Sequence, residues 1–115
     1  MHKPRYLQRM AEEKTTRERS SRQESRIARQ LKGKTTINSG ATFGENDIVN
    51  DFMEVEAKTT RHESFSLNLA DFRKLVKKSK VDKIPAMVID FEQSKDSLAV
   101  IKYDDLLYLI NEANK

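Results

Sequence analysis

The sequence predicts an α/β domain, with a central mixed β-sheet flanked by helices in the order αβββαββα. Three observations carry this. Two stretches, residues 21–31 and 69–79, space their apolar side chains at helical intervals. Phe52 to Lys58 alternates apolar and charged residues, as a half-buried strand does. Ala86-Met87-Val88-Ile89 is an unbroken apolar run, expected of a strand covered on both faces. Strands interleaved with amphipathic helices bury their faces by packing helices on a sheet.

Each element has a local reason. After Ser21, Ile27, Ala28 and Leu31 make one helical stripe, and Gly33 can end that helix. Glu24 falls on the same stripe, while Arg22, Arg26 and Arg29 point to solvent or a partner. Thr35–Ser39 is short and β-prone, and Gly40 and Gly44 bracket a loop. Asp47-Ile48-Val49 reads as a brief strand, and Asn50-Asp51 as a turn. In the next strand Met53, Val55 and Ala57 face one side, and Glu54, Glu56 and Lys58 the other, so the two strands about Asn50 predict a hairpin. Asn68 is placed to cap the second helix, whose stripe is Leu69, Phe72, Leu75 and Val76. Pro85 opens the apolar strand, where its missing N–H does little harm. Gln93–Ser97 reads as a turn and Leu98–Tyr103 as a strand. Asp104 or Asp105 is expected to cap a last helix carrying Leu106, Leu107, Leu109, Ile110 and Ala113.

Composition narrows the function. A chain of 115 residues suits one domain and can bury a core. It has no Cys, which excludes disulfides and thiolate metal sites, and its two His, His2 and His62, do not suit a multi-His zinc site. No apolar run approaches the roughly 20 residues a membrane helix needs. The first ten residues lack the apolar core of a secretory signal, so a cytoplasmic protein is expected. The net charge of +4 is uneven: residues 1–36 hold 11 Lys/Arg against 4 Asp/Glu, and residues 37–115 hold 11 against 14. Residues 1–20 therefore read as a basic, poorly ordered arm ahead of a domain over 21–115. Such an arm seeks phosphate, or is simply a solvated tail.

The residues best suited to chemistry are Asp47 and Glu56-Ala57-Lys58. Acids on adjacent strands of a hairpin can converge on Mg²⁺, which takes oxygen ligands and keeps several waters, so two carboxylates and a backbone carbonyl suffice. Lys58, two residues from Glu56, points into the same cleft and can orient or deprotonate a water or steady phosphate charge. An exposed Glu-x-Glu-x-Lys strand face also has an ordinary explanation, a solvated sheet surface. Glu24 taken alone is an acid at the edge of the core. Ser39-Gly40 can approach a phosphate or form a plain turn. Thr59, Thr60 and Arg61 can touch backbone phosphate or end their strand. His62 reads as a surface residue. The six basic residues from Arg73 to Lys83 are accounted for by a solvated helix face.

Arg-Gln-Glu24, Asn-Ser39-Gly40, Asn-Asp47-Ile-Val and Val-Glu56-Ala-Lys58-Thr-Thr, in that order, resemble the PD-(D/E)XK nuclease superfamily. The nearest likeness is to its Holliday junction resolvases of the archaeal type and their bacteriophage relatives, over about residues 20–112. The resemblance implies a restriction-endonuclease-like fold. It implies hydrolysis of phosphodiesters in four-way DNA junctions by paired symmetric nicks, in DNA recombination and repair, by a homodimer in the cytoplasm, that of the host for a phage protein. It implies Mg²⁺, with Mn²⁺ as substitute, held by Glu24, Asp47, Glu56 and the Ala57 carbonyl. Lys58 becomes the catalytic lysine beside those three acids. Ser39 lies near the scissile phosphate, with Arg22, Arg26, Arg29, Lys32, Lys34, Thr60 and Arg61 on the DNA. The chain departs from the pattern at Asn46, where the family has Pro, and in carrying a further acid, Glu54, on the Glu56 face. The alternatives are another nuclease of the superfamily acting on linear or damaged DNA, or a non-catalytic DNA-binding protein. A pure phosphate binder gains nothing from converging acids, which repel DNA.

If the arm grips phosphate, its cations release counterions on binding. Deleting residues 1–20 is then expected to flatten the salt dependence of DNA binding, measured by gel shift, while the preference for a junction over duplex persists.

Overall fold

The fold is a five-stranded mixed sheet with helices on both faces, as the sequence predicts. The computed structural model describes residues 21–36 and 47–115. The arm over 1–20, and Ser39, Gly40, Gly44 and Asn46, lie outside the described residues. The elements are helix α1 (residues 21–30), β1 (Lys34–Thr35), β2 (Ile48–Val49), β3 (Met53–Thr60), α2 (Leu69–Lys78), β4 (Ile84–Phe91), β5 (Asp96–Ile101) and α3 (Tyr103–Ala113). The strands lie in chain order across the sheet. All neighbours are antiparallel except β3 and β4, which run parallel over Met53↔Ile84 to Thr60↔Phe91. A parallel pair needs a crossover, and α2 supplies it.

The period of two along β3 and β4 divides the core. On one face Ile27 and Ala28 of α1 pack on Ile48, Val55 and Ala86, with Leu31, Met53, Ala57, Val88 and Ile101 around them. On the other, Phe72 and Leu75 of α2 pack on Met87 and Ile89, with Phe65, Val76, Phe91 and Val100. Met53, Val55 and Ala57 thus face α1, as their alternation predicts. Glu54, Glu56 and Lys58 take the opposite face, beneath α2.

One buried side chain ties the first half together. Asn50 Oδ1 accepts from the N–H of Phe52 (2.9 Å) and of Met53 (2.6 Å), which turns β2 into β3. Its Nδ2 donates to the Leu31 carbonyl (3.1 Å) just past the end of α1, and its own carbonyl accepts from Lys83 Nζ (2.6 Å). At α2 the predicted cap is present, Asn68 Oδ1 accepting from Ala70 N at 2.8 Å.

Several expectations are corrected. The left-handed residue that ends α1 is Lys32 (φ 54°), not Gly33. Gly33 N–H then reaches back to the Ala28 carbonyl (2.8 Å) and Lys32 N–H to that of Arg29 (3.4 Å), a Schellman closure. β1 covers Lys34–Thr35 and stops before Thr36. The β4–β5 turn spans 92–95, so β5 begins at Asp96 and ends at Ile101, and Tyr103 opens α3. Asp104 and Asp105 lie inside the first turn of α3, facing its positive dipole end, and Lys102 holds the cap position with no side-chain bond. Leu69, expected on the α2 stripe, is exposed at the first position of the helix, and α3 buries no residue fully. Among the described residues no helix is long and apolar enough to cross a membrane.

Gly33 is needed for closeness, since a Cβ there would stand 2.7 Å from the Val49 carbonyl oxygen and 3.2 Å from Asn50 Cβ. Gly33→Ala must push β1 from β2. It is expected to lower unfolding stability by about 1–3 kcal/mol, read from a urea titration.

Candidate functional site

The candidate site forms where β2 leaves β3. Their register pairs Ile48 with Val55 and Val49 with Glu54, so one step further sets Asp47 opposite Glu56. Asp47 is held on both sides: its carbonyl accepts from Thr36 N (3.0 Å), and its Oδ2 accepts from Ala57 N (2.9 Å). The carboxylate thus satisfies a strand N–H that β2 no longer covers. In a strand a residue's N–H and carbonyl share one edge, so the Ala57 carbonyl faces this same gap.

Glu24 approaches from α1. It is half-buried, and its carboxyl is pushed above the usual range, first by that burial and second by the negative charge of Asp47. Beside it Gln23 is buried and donates from Nε2 to the Lys58 carbonyl at 2.6 Å, which pins the strand at the lysine. Lys58 Nζ lies 3.4 Å from Glu56 Oε1, with both side chains part-exposed. A pair so open to water adds at most about 1 kcal/mol to stability. Its effect is to keep the ammonium over the strand's even face.

Glu54 has a different task. It is 4% exposed and its Oε2 accepts from Lys80 N, joining β3 to the link after α2. That occupation separates it from Glu56, a distinction the Glu-x-Glu spacing leaves open. The charge of Asp47 acts on Glu24, and the β2–β3 register continued by one step sets Asp47 across from Glu56. Among the described residues, however, no three Asp, Glu or His side chains are gathered as a ready cage for an ion.

The basic residues divide. Arg22, Arg29, Lys32 and Lys34 are exposed. Arg26, expected to point to solvent or a partner, instead grips Asp90 of β4 with Nη2 at 2.9 and 2.7 Å. Ser97 Oγ adds a bond to Asp90 at 2.6 Å. Arg61 lies 3.6 Å from Glu92, which also accepts from Thr59 Oγ1 (2.6 Å), and Thr60 Oγ1 accepts from His62 N (3.1 Å). His62 is exposed, as expected. Ser39 lies outside the described residues.

Sequence reasoning missed three residues at this site. Gln23 was adjacent to the quoted Glu24, but its partner is 35 residues away. Lys74 and Lys78 were assigned to a solvated helix face, yet they line one cleft with Glu56, Lys58, Asp71 and Leu75. Their i, i+4 spacing on the face that carries Leu75 was the available signal. Compared with protein-family models, curated proteins and solved structures, the chain matches none.

The raised Glu24 carboxyl has a consequence for stability. Its charged form is disfavoured in the fold, so its cost is present at neutral pH and fades as pH falls through the folded value toward the unfolded one, near 4.5. Glu24→Gln is expected to raise Tm at pH 7, and that gain should shrink as the pH is lowered toward 4.5, read by parallel thermal melts.

Proposed function

We propose that this chain is a metal-dependent, structure-selective DNA endonuclease that resolves four-way junctions by paired nicks, working as a homodimer. The observation that carries the reading is Asp47 brought opposite Glu56 at the parting of β2 and β3, with Glu24 beside it and Lys58 two residues on. The sheet supports it as well. An antiparallel β1-β2-β3 meander, an α2 crossover and a parallel β4 agree with the element order that the resemblance implies.

The donor set suits Mg²⁺. Asp47 and Glu56 offer hard carboxylate oxygens on neighbouring strands, the Ala57 carbonyl shares the edge whose N–H Asp47 binds, and the repulsion between Glu24 and Asp47 is the kind a cation relieves. Asp47, Glu56 and the Ala57 carbonyl would hold the ion, with Glu24 at its side. When bound, it supplies an acidified water and a polarised phosphate. The protein's own part is positional. Lys58 orients the attacking water or accepts its proton, and its charge steadies the phosphate. Gln23 fixes the backbone from which Lys58 projects. The exposed Arg22, Arg29, Lys32 and Lys34 grip the DNA backbone without reading bases.

Paired nicks need two sites related by a two-fold axis. Tyr103, Leu106, Leu107 and Ile110 form an exposed i, i+3, i+4, i+7 stripe on α3, with Tyr108 and Leu98 also exposed. This apolar surface supports a second copy as its cover.

The test uses a supercoiled plasmid that extrudes a cruciform, with linear duplex and a synthetic junction alongside, each with and without Mg²⁺. Paired cutting is expected to convert the cruciform plasmid directly to linear product. Asp47→Asn, Glu56→Gln, Lys58→Ala and Glu24→Gln should each slow single-turnover junction cleavage by orders of magnitude while gel-shift binding survives. Absence of Mg²⁺-dependent cleavage on all three substrates rejects the enzyme reading in favour of a DNA-binding protein. Equal cutting of duplex and junction points to another nuclease chemistry on linear DNA.

A further inference from the structure

We infer that the cleft between β3 and α2 is a built phosphate grip, in which Lys74 and Lys78 hold the sugar-phosphate backbone of the strand entering at Glu56 and Lys58. The inference rests on the nuclease reading for its ligand, DNA, and on separate residues for its substance.

Four observations carry it. First, α2 is the crossover of a parallel unit, so it runs back antiparallel to β3 and lays its outer turns along that strand's even residues. Second, Phe72 and Leu75 anchor the helix on Met87 and Ile89, and Leu75, only 1% exposed, forms the cleft floor. That anchoring fixes the rotation of α2, so Lys74 and Lys78, though exposed, line the cleft beside Glu56 and Lys58. Third, the two lysines are i and i+4, which sets their stems roughly 5–6 Å apart along the cleft. This is a row of cations suited to a chain of anions. Fourth, the local charge is unbalanced. The cleft, about 250 Å³, holds Lys58, Lys74 and Lys78 against Glu56 and Asp71. Glu56 is engaged with Lys58. Among the described ion pairs neither Lys74 nor Lys78 has a carboxylate partner.

Contrast the opposite face of the sheet. A wider hollow there, about 640 Å³, brings Arg22, Arg26, Arg29 and Lys95 together with Asp90, Glu92 and Asp96, and within it Arg26 already holds Asp90. Cations neutralised within the chain offer little to phosphate. What sets the cleft under α2 apart is that its two unpaired lysines sit directly beside Glu56 and Lys58.

The experiment compares the full-length protein with K74Q/K78Q and with R73Q/K77Q, which removes the same charge from the same helix outside the cleft lining. Binding of an immobile four-way junction is titrated by gel shift in EDTA across a salt series, so that no cleavage is required. Each phosphate contact contributes about 0.9 to the slope of log K against log salt. K74Q/K78Q is expected to reduce that slope by about 1.8, and each single lysine variant by about half as much. The R73Q/K77Q slope should stay near that of the unchanged protein. Thermal melts should match for all variants, because the substituted side chains are exposed. With Mg²⁺, K74Q/K78Q should raise the KM for junction at least several-fold.

A slope change no larger in K74Q/K78Q than in R73Q/K77Q overturns the grip, as does a protein that binds no DNA. Saturable binding of inorganic pyrophosphate that requires Lys74 and Lys78, with an unchanged DNA slope, reassigns the cleft to a free phosphate compound and also overturns it. The expected slope loss in a protein that cuts no substrate would keep the grip and reject the nuclease reading. Cleavage with an unchanged slope would do the reverse.

Discussion

Everything in this fold hangs on the position of β3 between an antiparallel neighbour and a parallel one. The antiparallel side fixes a register that sets Asp47 against Glu56. The parallel side demands a crossover, and so brings a helix back across the strand. Because side chains alternate, one set of residues on β3 closes the α1 core while the other is left under α2. A slip of one residue would bury Glu56 and Lys58 against Ile27 and expose Val55. The cost of burying those charges is what makes the register secure. Asn50 enforces the same register from the turn, since its side chain binds both the hairpin and the end of α1.

What was legible in the sequence is what depends on local periodicity. The alternation of Met53 to Lys58, the apolar run at Ala86–Ile89 and the Asn68 cap each need only neighbours a few residues away, and each is found. Glu24 was also legible, because its spacing to Ile27, Ala28 and Leu31 forces it toward the core whatever its partner. The misplacements share a different cause. Arg26 meets Asp90 across 64 residues, and no helical spacing announces such a partner. Lys74 and Lys78 fall on the polar flank of α2 in any helical projection, and only the crossover shows that this flank overlooks Glu56. The cap of α3 was misassigned because Asp104 and Asp105 favour the first helical turn electrostatically nearly as well as they favour a cap. For Ser39 the described residues offer no comparison.

The stripe on α3 belongs to the same lesson. Amphipathic spacing predicts that a helix buries a face but does not name the surface it is buried against. Here Asp105 and Leu109 line a hollow with Ile84 at the start of β4, while Tyr103, Leu106, Leu107 and Ile110 are exposed. Apolar side chains grouped in this way mark an interaction surface more often than a solvated one.

The distribution of paired charge gives the sheet a direction. On the α1 side, Arg26 and Arg61 are each matched by an acid, and Ser97 and Thr59 complete those pairs. Such partnerships hold the ends of β3, β4 and β5 together, and they take Arg26 and Arg61 out of the field that a polyanion would meet. At the parting of β2 and β3 the acids are instead set beside one another, and Glu24 bears the cost as a carboxyl that resists ionising. Under α2 the excess is positive. A phosphate chain approaching this protein would therefore meet repulsion at the acids and attraction immediately next to them, on the same strand. That juxtaposition disfavours simple phosphate storage, since a binder would be better without Asp47 and Glu56. On the proposed reading the lysines hold the strand while the acids are reserved for a cation.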